Sequence, residues 1–274
     1  MRYQLLFLSV LLLFASCDDS EAPFPGAASG PLKKVEGFIN GMPSDEITEL
    51  TYDGSGRVES IQITQGNFAY RTYEVAYSGE AVTTLTITRD FINSGTMVSE
   101  VFDVDDQGGQ IILSSPDAQG RYVLTAADGY INTFEDHYDR DNGYFNAAHF
   151  VRSTSNNIDT ISHFTTNATD SNLLAWQYTF SDFAATPSLN AAFNPAFNYA
   201  FGFYDPYIGL ALGLKVSEEA PLTSSYLDGN GTYRAVNVSA DMEEVSNGLL
   251  MKLGYSIADL PDNTYHLEFE YYEE

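Results

Sequence analysis

The run LLMKLGYSIADLPDNTYHLEFEYY, residues 249–272, carries two apolar stripes of period two. Leu249, Met251, Leu253, Tyr255 and Ile257 share one phase; Tyr265, Leu267, Phe269 and Tyr271 share another, opposite His266, Glu268 and Glu270. That period puts one face of a strand in a core and the other in water, a pattern no helix shares. Pro261-Asp262-Asn263 supplies turn residues between the stripes, so the run reads as an antiparallel hairpin.

The same alternation recurs upstream in Tyr73, Val75 and Tyr77, in Leu85 and Ile87, and in Phe102 and Val104. Turn signals punctuate it: Asp53-Gly54-Ser55-Gly56, Ser78-Gly79, Gln107-Gly108-Gly109, Asp128-Gly129 and Asp228-Gly229-Asn230-Gly231. Strands at this spacing predict an all-β fold, an antiparallel meander of hairpins forming a sandwich or open barrel, with at most one or two short helices. The main irregular stretch is PSLNAAFNPAFNYAF, residues 187–201, which predicts a short helix near Leu189 to Phe193 ended by Pro195.

Composition agrees with a packed domain. The chain is 44% hydrophobic and 14% aromatic, with 19 Tyr and 18 Phe, whereas disordered acidic segments are poor in aromatics. Its 12 Lys+Arg stand against 38 Asp+Glu, a net charge of -26, which repels nucleic acid and anionic headgroups. Cys17 is the only cysteine, so no internal disulfide forms and packing must supply the stability.

Cys17 also ends a short apolar run. Arg2 is followed by Leu5 to Phe14 and then Ala15-Ser16-Cys17. A run of about ten residues is too short to span a bilayer as a helix and reads as the core of a signal peptide. Small residues directly before the cysteine resemble a bacterial lipobox, which implies cleavage before Cys17, its acylation and a lipid anchor in the envelope membrane. Asp18, Asp19 and Glu21, then Pro23, Pro25 and Pro31, read as an extended acidic tether. The predicted division is a signal peptide over 1–16, lipidated cysteine and tether over 17–34, and one β-rich domain over 35–274, with a soft boundary near 153–172 where Ser, Thr and Asn concentrate.

Leu50-Thr51-Tyr52-Asp53-Gly54-Ser55-Gly56-Arg57-Val58 resembles a unit of the YD-repeat pattern, with looser copies at Phe102–Gly108 and Tyr226–Gly231. With Gln177–Phe180, Asn194-Pro195-Ala196-Phe197 and the aromatic last strand, the chain is similar to uncharacterised Bacteroidota envelope lipoproteins built from such hairpins. The acidic residues after Cys17 look like the surface-export signal of that group. The resemblance implies an outer-membrane, surface-exposed address and no particular activity.

Candidate chemistry is sparse. Asp103, Asp105 and Gln107 before Gly108 match the opening of a calcium loop, but Ser114 stands where its bidentate carboxylate belongs. Apart from that calcium reading, no cofactor is expected. The histidines His137, His149, His163 and His266 form no local zinc pattern. Asp136 adjoins His137, but no Gly-x-Ser-x-Gly elbow accompanies them and no catalytic residue is assigned. Among the aromatics from Trp176 to Tyr207, Trp176 and Tyr207 are the candidates for stacking on a sugar ring from an exposed platform. The expectation is a lipid-anchored binding module rather than an enzyme, with a glycan or another envelope protein as partner. The alternatives are a structural scaffold and an unrecognised hydrolase.

Overall fold

The computed structural model describes residues 31–65, 69–91, 95–115, 121–139, 144–166, 173–184, 193–198, 204–228, 233–246, 249–257 and 260–272. The strands are β1 (Leu32–Ile39), β2 (Met42–Tyr52), β3 (Val58–Gln65), β4 (Ala69–Ser78), β5 (Ala81–Phe91), β6 (Thr96–Asp106), β7 (Gln110–Ser114) and β8 (Arg121–Ala127). They continue as β9 (Tyr130–Asp139), β10 (Tyr144–Arg152), β11 (Ile158–Thr166), β12 (Leu173–Ala184), β13 (Ala220–Asp228), β14 (Tyr233–Ser246), β15 (Leu249–Ile257) and β16 (Tyr265–Tyr271). Two short helices, α1 (Pro195–Asn198) and α2 (Pro206–Ala211), lie between β12 and β13.

Each strand pairs antiparallel with the next, which is the meander of hairpins that the period-two pattern predicts. β1 also pairs with β16, Val35 opposite Phe269 and Ile39 opposite Tyr265, so the order closes into a barrel without an edge. The sequence pattern left a sandwich or an open barrel. It cannot register closure, because that pairing joins the two ends of the chain. β1 starts at Leu32, inside the span read as tether, because Leu32 and Lys34 already face Tyr271 and Glu270. Near the expected soft boundary, Ser153–Asn157 is a tight turn and the sheet runs on through β11 and β12. Residues 167–172 of that stretch lie outside the described set.

Alternation sorts the wall. β4 turns Tyr73 and Val75 inward and Thr72, Glu74 and Ala76 outward; β5 turns Leu85 and Ile87 inward and Thr84, Thr86 and Thr88 outward. On the last strand Leu267 and Phe269 face in, and Glu268 and Glu270 face out. A barrel wall in contact with lipid carries an apolar outer band. Among the described residues this outer wall is rich in Thr, Glu and Ser; its exposed large apolar residues include Val101 and Val151 and, toward the end away from the β2–β3 turn, Ile39, Met42, Met97, Leu174 and Leu260.

Sixteen strands enclose more space than side chains from opposite walls fill. The described parts of the connection from β12 to β13, 193–198 and 204–219, enter that space. Tyr204, Ile208 and Ala211 join the main apolar core, and Tyr207 and Leu210 also touch a second group that includes Val35, Leu50, Leu253 and Phe269. Asp205 caps α2, its Oδ1 accepting from Tyr207 N at 3.1 Å, and Pro206 takes the first turn, where a missing N–H costs nothing. Pro195 begins α1, and of the short helix expected near Leu189 to Phe193, residues 189–192 lie outside the described set.

After α2 the chain forms a strap across one end of the barrel. Lys215 N donates to Gly129 O at 2.8 Å, and Ile131 N to Lys215 O at 3.0 Å. Further along, Glu218 N donates to Asn156 O at 3.1 Å and Glu219 N to Asn157 Oδ1 at 3.0 Å. Arg152 Nε donates to Val216 O at 2.8 Å. Leu32 and Tyr271, opposite one another, sit at this same end. Among the described residues, no segment crosses the other end.

Two turns at the strapped end repeat one geometry. In β2–β3, Asp53 N donates to Arg57 O and Gly56 N to Asp53 O, both at 2.9 Å. In β10–β11, Ser153 N donates to Asn157 O at 2.8 Å and Asn156 N to Ser153 O at 3.1 Å. Gly56 has φ 78° and Asn156 φ 62°, so the left-handed residue falls at the same place in each.

Candidate functional site

At the end away from the strap, the inward phase of several strands changes from apolar to charged. Two positions beyond Tyr73 on β4 comes Arg71, and two beyond Ile87 on β5 comes Arg89. Glu100 precedes Phe102 on β6, and Asp136 follows Phe134 on β9. Asn146 of β10 stands directly opposite Asp136, and Tyr122 of β8 faces Asp136 from the other side.

These groups are partly linked. Arg89 Nη1 donates to Glu100 Oε2 at 2.8 Å, and Arg89 also reaches the Tyr122 hydroxyl. Arg71 Nη1 lies 3.3 Å from the Tyr73 hydroxyl and 3.6 Å from Asp205 Oδ2. Tyr73 donates to that same Oδ2 at 2.6 Å. The Arg71 side chain retains 43% of its exposure, although it is on the inward phase, so solvent reaches the lumen here.

Asp136 is the uncommitted member. Burial and through-space charges bear on its carboxyl, and it makes no hydrogen bond with the described residues. Burial holds its pKa above the usual carboxylate range; His137 and Arg89 oppose that, and Glu100 and Asp205 add to it. The Tyr122 hydroxyl is pushed up to about 12, by burial first and then by the Asp136 charge, so it remains a donor at neutral pH. Tyr73, more deeply buried, is raised as well, by desolvation first and then by Asp205. The arrangement offers planar donors and acceptors in fixed positions inside a wet mouth, which is the equipment for holding neighbouring hydroxyl or amine groups.

The residues singled out from sequence are placed differently. Trp176 faces inward on β12, opposite His163, with ring centroids 5.2 Å apart, and packs on the main core. Tyr207 lies inside the barrel on α2, 5.7 Å from the Tyr73 ring and 6.2 Å from Phe193, its hydroxyl 3.5 Å from Thr48 Oγ1. Burial raises its pKa. Tyr178, Phe180 and Tyr204 are core residues, so these aromatics line the interior and do not make an outer platform.

Asp103 and Asp105 share the outward phase of β6, and Gln107 donates to Asp105 Oδ2 at 2.8 Å. Asp106 caps the turn through Gly108 N at 2.9 Å. Among the described residues, no group of three His, Cys, Asp or Glu converges as metal ligands. Asp136 points inward while His137 points outward to Glu135 at 2.7 Å, so the adjacent pair is split between faces. Cys17 lies outside the described residues.

Arg71, Arg89 and Glu100 are not candidates from sequence, and Asp136 is weighed there only as a neighbour of His137, yet the signal is present. Extending each apolar stripe by one step of two lands on a charge, and a charge in the apolar phase is expensive unless it has work to do.

No family model matches the chain, and no curated protein matches it. Among solved structures it is similar to a porin-like protein from Bacteroides vulgatus ATCC 8482, at 11% identity and a TM-score of 0.46, covering 89% of this chain and 99% of that one. A porin-like protein from Bacteroides uniformis ATCC 8492 is similar at 11% identity and a TM-score of 0.43, covering 88% of this chain and 98% of that one.

Proposed function

We propose that this chain is a lipid-anchored cell-envelope protein that binds a ligand in the unstrapped mouth of its barrel, with a glycan as the ligand class. The observation that carries the reading is the change of the inward phase to Arg71, Arg89, Glu100, Asp136 and Asn146 at one end of the barrel. Scaffolding alone would favour continuing the apolar stripe, since each of these charges costs desolvation.

The anchor reading rests on Ala15-Ser16-Cys17 after the apolar run. Leu32 starts β1 at the strapped end, so a chain anchored through Cys17 would join the barrel at that end. Dual acylation retains a protein where one chain gives only reversible binding.

The test is a screen of the purified protein on an array of host and envelope polysaccharides. Selective binding that Arg89→Ala abolishes, with the fold intact, supports the reading. A blank array from folded protein moves the role to scaffold or protein binding.

A further inference from the structure

We propose that the mouth takes a primary ammonium group carried on a sugar, with Asp136 as its counter-charge. This rests on the mouth being a ligand site and narrows what it accepts.

Among the described residues, both arginines of the site already lie against a carboxylate. Arg89 is held by Glu100 at 2.8 Å and by Tyr122, and Arg71 by Tyr73 and Asp205. Asp136 has no such donor among the described residues. Among the described residues two arginines face three carboxylates, Glu100, Asp136 and Asp205, so the charge left over in this set is negative. A neutral sugar would cover Asp136 and leave its charge desolvated, and an anionic one would add repulsion. An ammonium brings three donors and the missing positive charge, and the Asn146 amide opposite supplies an acceptor within the same register. A chain charge of -26 raises the local concentration of cations around the mouth.

Proton and ammonium therefore compete for one carboxylate. The charged and titratable groups around Asp136 are Arg89, Glu100, Tyr122 and Asp205 within the barrel and His137 on its own strand. Lowering the pH through the Asp136 titration should weaken the amine and leave a neutral sugar unaffected.

The experiment is calorimetry on the full-length protein at neutral pH with three probes: the disaccharide of glucosamine, its N,N′-diacetyl form and cellobiose. The free amine should bind at least ~10-fold more tightly than the acetylated form, as a charge-assisted contact warrants. Asp136→Asn, with its fold checked by melting, should erase that preference. The pH titration of the unmodified protein gives the same answer should the variant fail to fold. Equal affinity for amine and acetylated probes, or a preference that survives Asp136→Asn, overturns this inference. Neutral probes bound in an Arg89-dependent way would leave the mouth as a binding site while removing the amine. No binding by any probe removes the inference, and a blank polysaccharide array in addition removes the mouth reading as well.

Discussion

Tyr73 donates its hydroxyl to Asp205 Oδ2 at 2.6 Å, while Asp205 Oδ1 accepts the backbone N–H of Tyr207 at 3.1 Å. One carboxylate thus fastens a wall strand to the first turn of the helix that fills the lumen. Tyr73 is fully buried and tilted against the Tyr207 ring, so the donor side of the bond is shielded from water.

Tyr73→Phe should fit the same space and remove the hydroxyl that donates to Asp205 and accepts from Arg71. Leaving Asp205 short of one partner is expected to cost ~1–3 kcal/mol in urea unfolding. Asp205→Ala should cost about 1 kcal/mol more, because the cap of α2 goes too. Additive effects in the double variant would show that the two residues are not coupled.

Asp136→Asn should stabilise the protein at neutral pH. The folded pKa of Asp136 is raised, so the native state binds its proton more tightly than the unfolded chain. Stability from this group is therefore present at low pH and lost as pH rises through the folded pKa. The gain from the substitution should be full above that pKa and shrink below the unfolded value of about 3.9. Melting curves from pH 3 to 8 give the answer; a variant less stable at pH 7 would contradict the description of Asp136 as an uncompensated charge.

Much of the fold is legible in the chain. Tyr265, Leu267, Phe269 and Tyr271 announce β16 and its facing direction, and Pro261-Asp262-Asn263 marks the turn before it. Closure is not legible, because Val35 and Phe269 meet only once the whole meander has formed. The lumen helix is hidden for another reason: it is a single short insertion whose apolar residues, Ile208 and Ala211, serve walls contributed by distant strands. The site was half legible. Arg71, Arg89 and Glu100 each sit two residues from an apolar stripe and read as strand ends, where charge is ordinary. Only the ring of strands shows that those ends converge on one mouth.

The paired turns at the strapped end predict a contrast. Gly56→Ala should cost ~1 kcal/mol, since φ 78° suits glycine best. Asn156→Gly, at the equivalent place with φ 62°, should change stability by less than ~0.5 kcal/mol, relief of the backbone being offset by a freer unfolded chain. Thermal unfolding of both variants checks the equivalence; equal losses would deny it.

Arg152 latches the strap. Its guanidinium donates to Val216 O at 2.8 Å, to Asn132 Oδ1 at 3.0 Å and to Ile131 O, and burial lowers its pKa to about 10. Arg152→Met should leave those acceptors unpaired and cost ~2–4 kcal/mol. Hydrogen exchange at the Ile131 and Lys215 amides should accelerate more than in the wall strands. Uniform acceleration would mean that the strap is not held locally.

The most direct measurement is binding to the polysaccharide array by three forms of the protein: unmodified, Asn146→Trp, which places a bulky ring in the mouth, and Glu74→Arg, which alters only the outer wall. The account predicts selective binding that Asn146→Trp abolishes and Glu74→Arg preserves. Binding that persists with the mouth filled, or that fails when only the outer wall is changed, would contradict it.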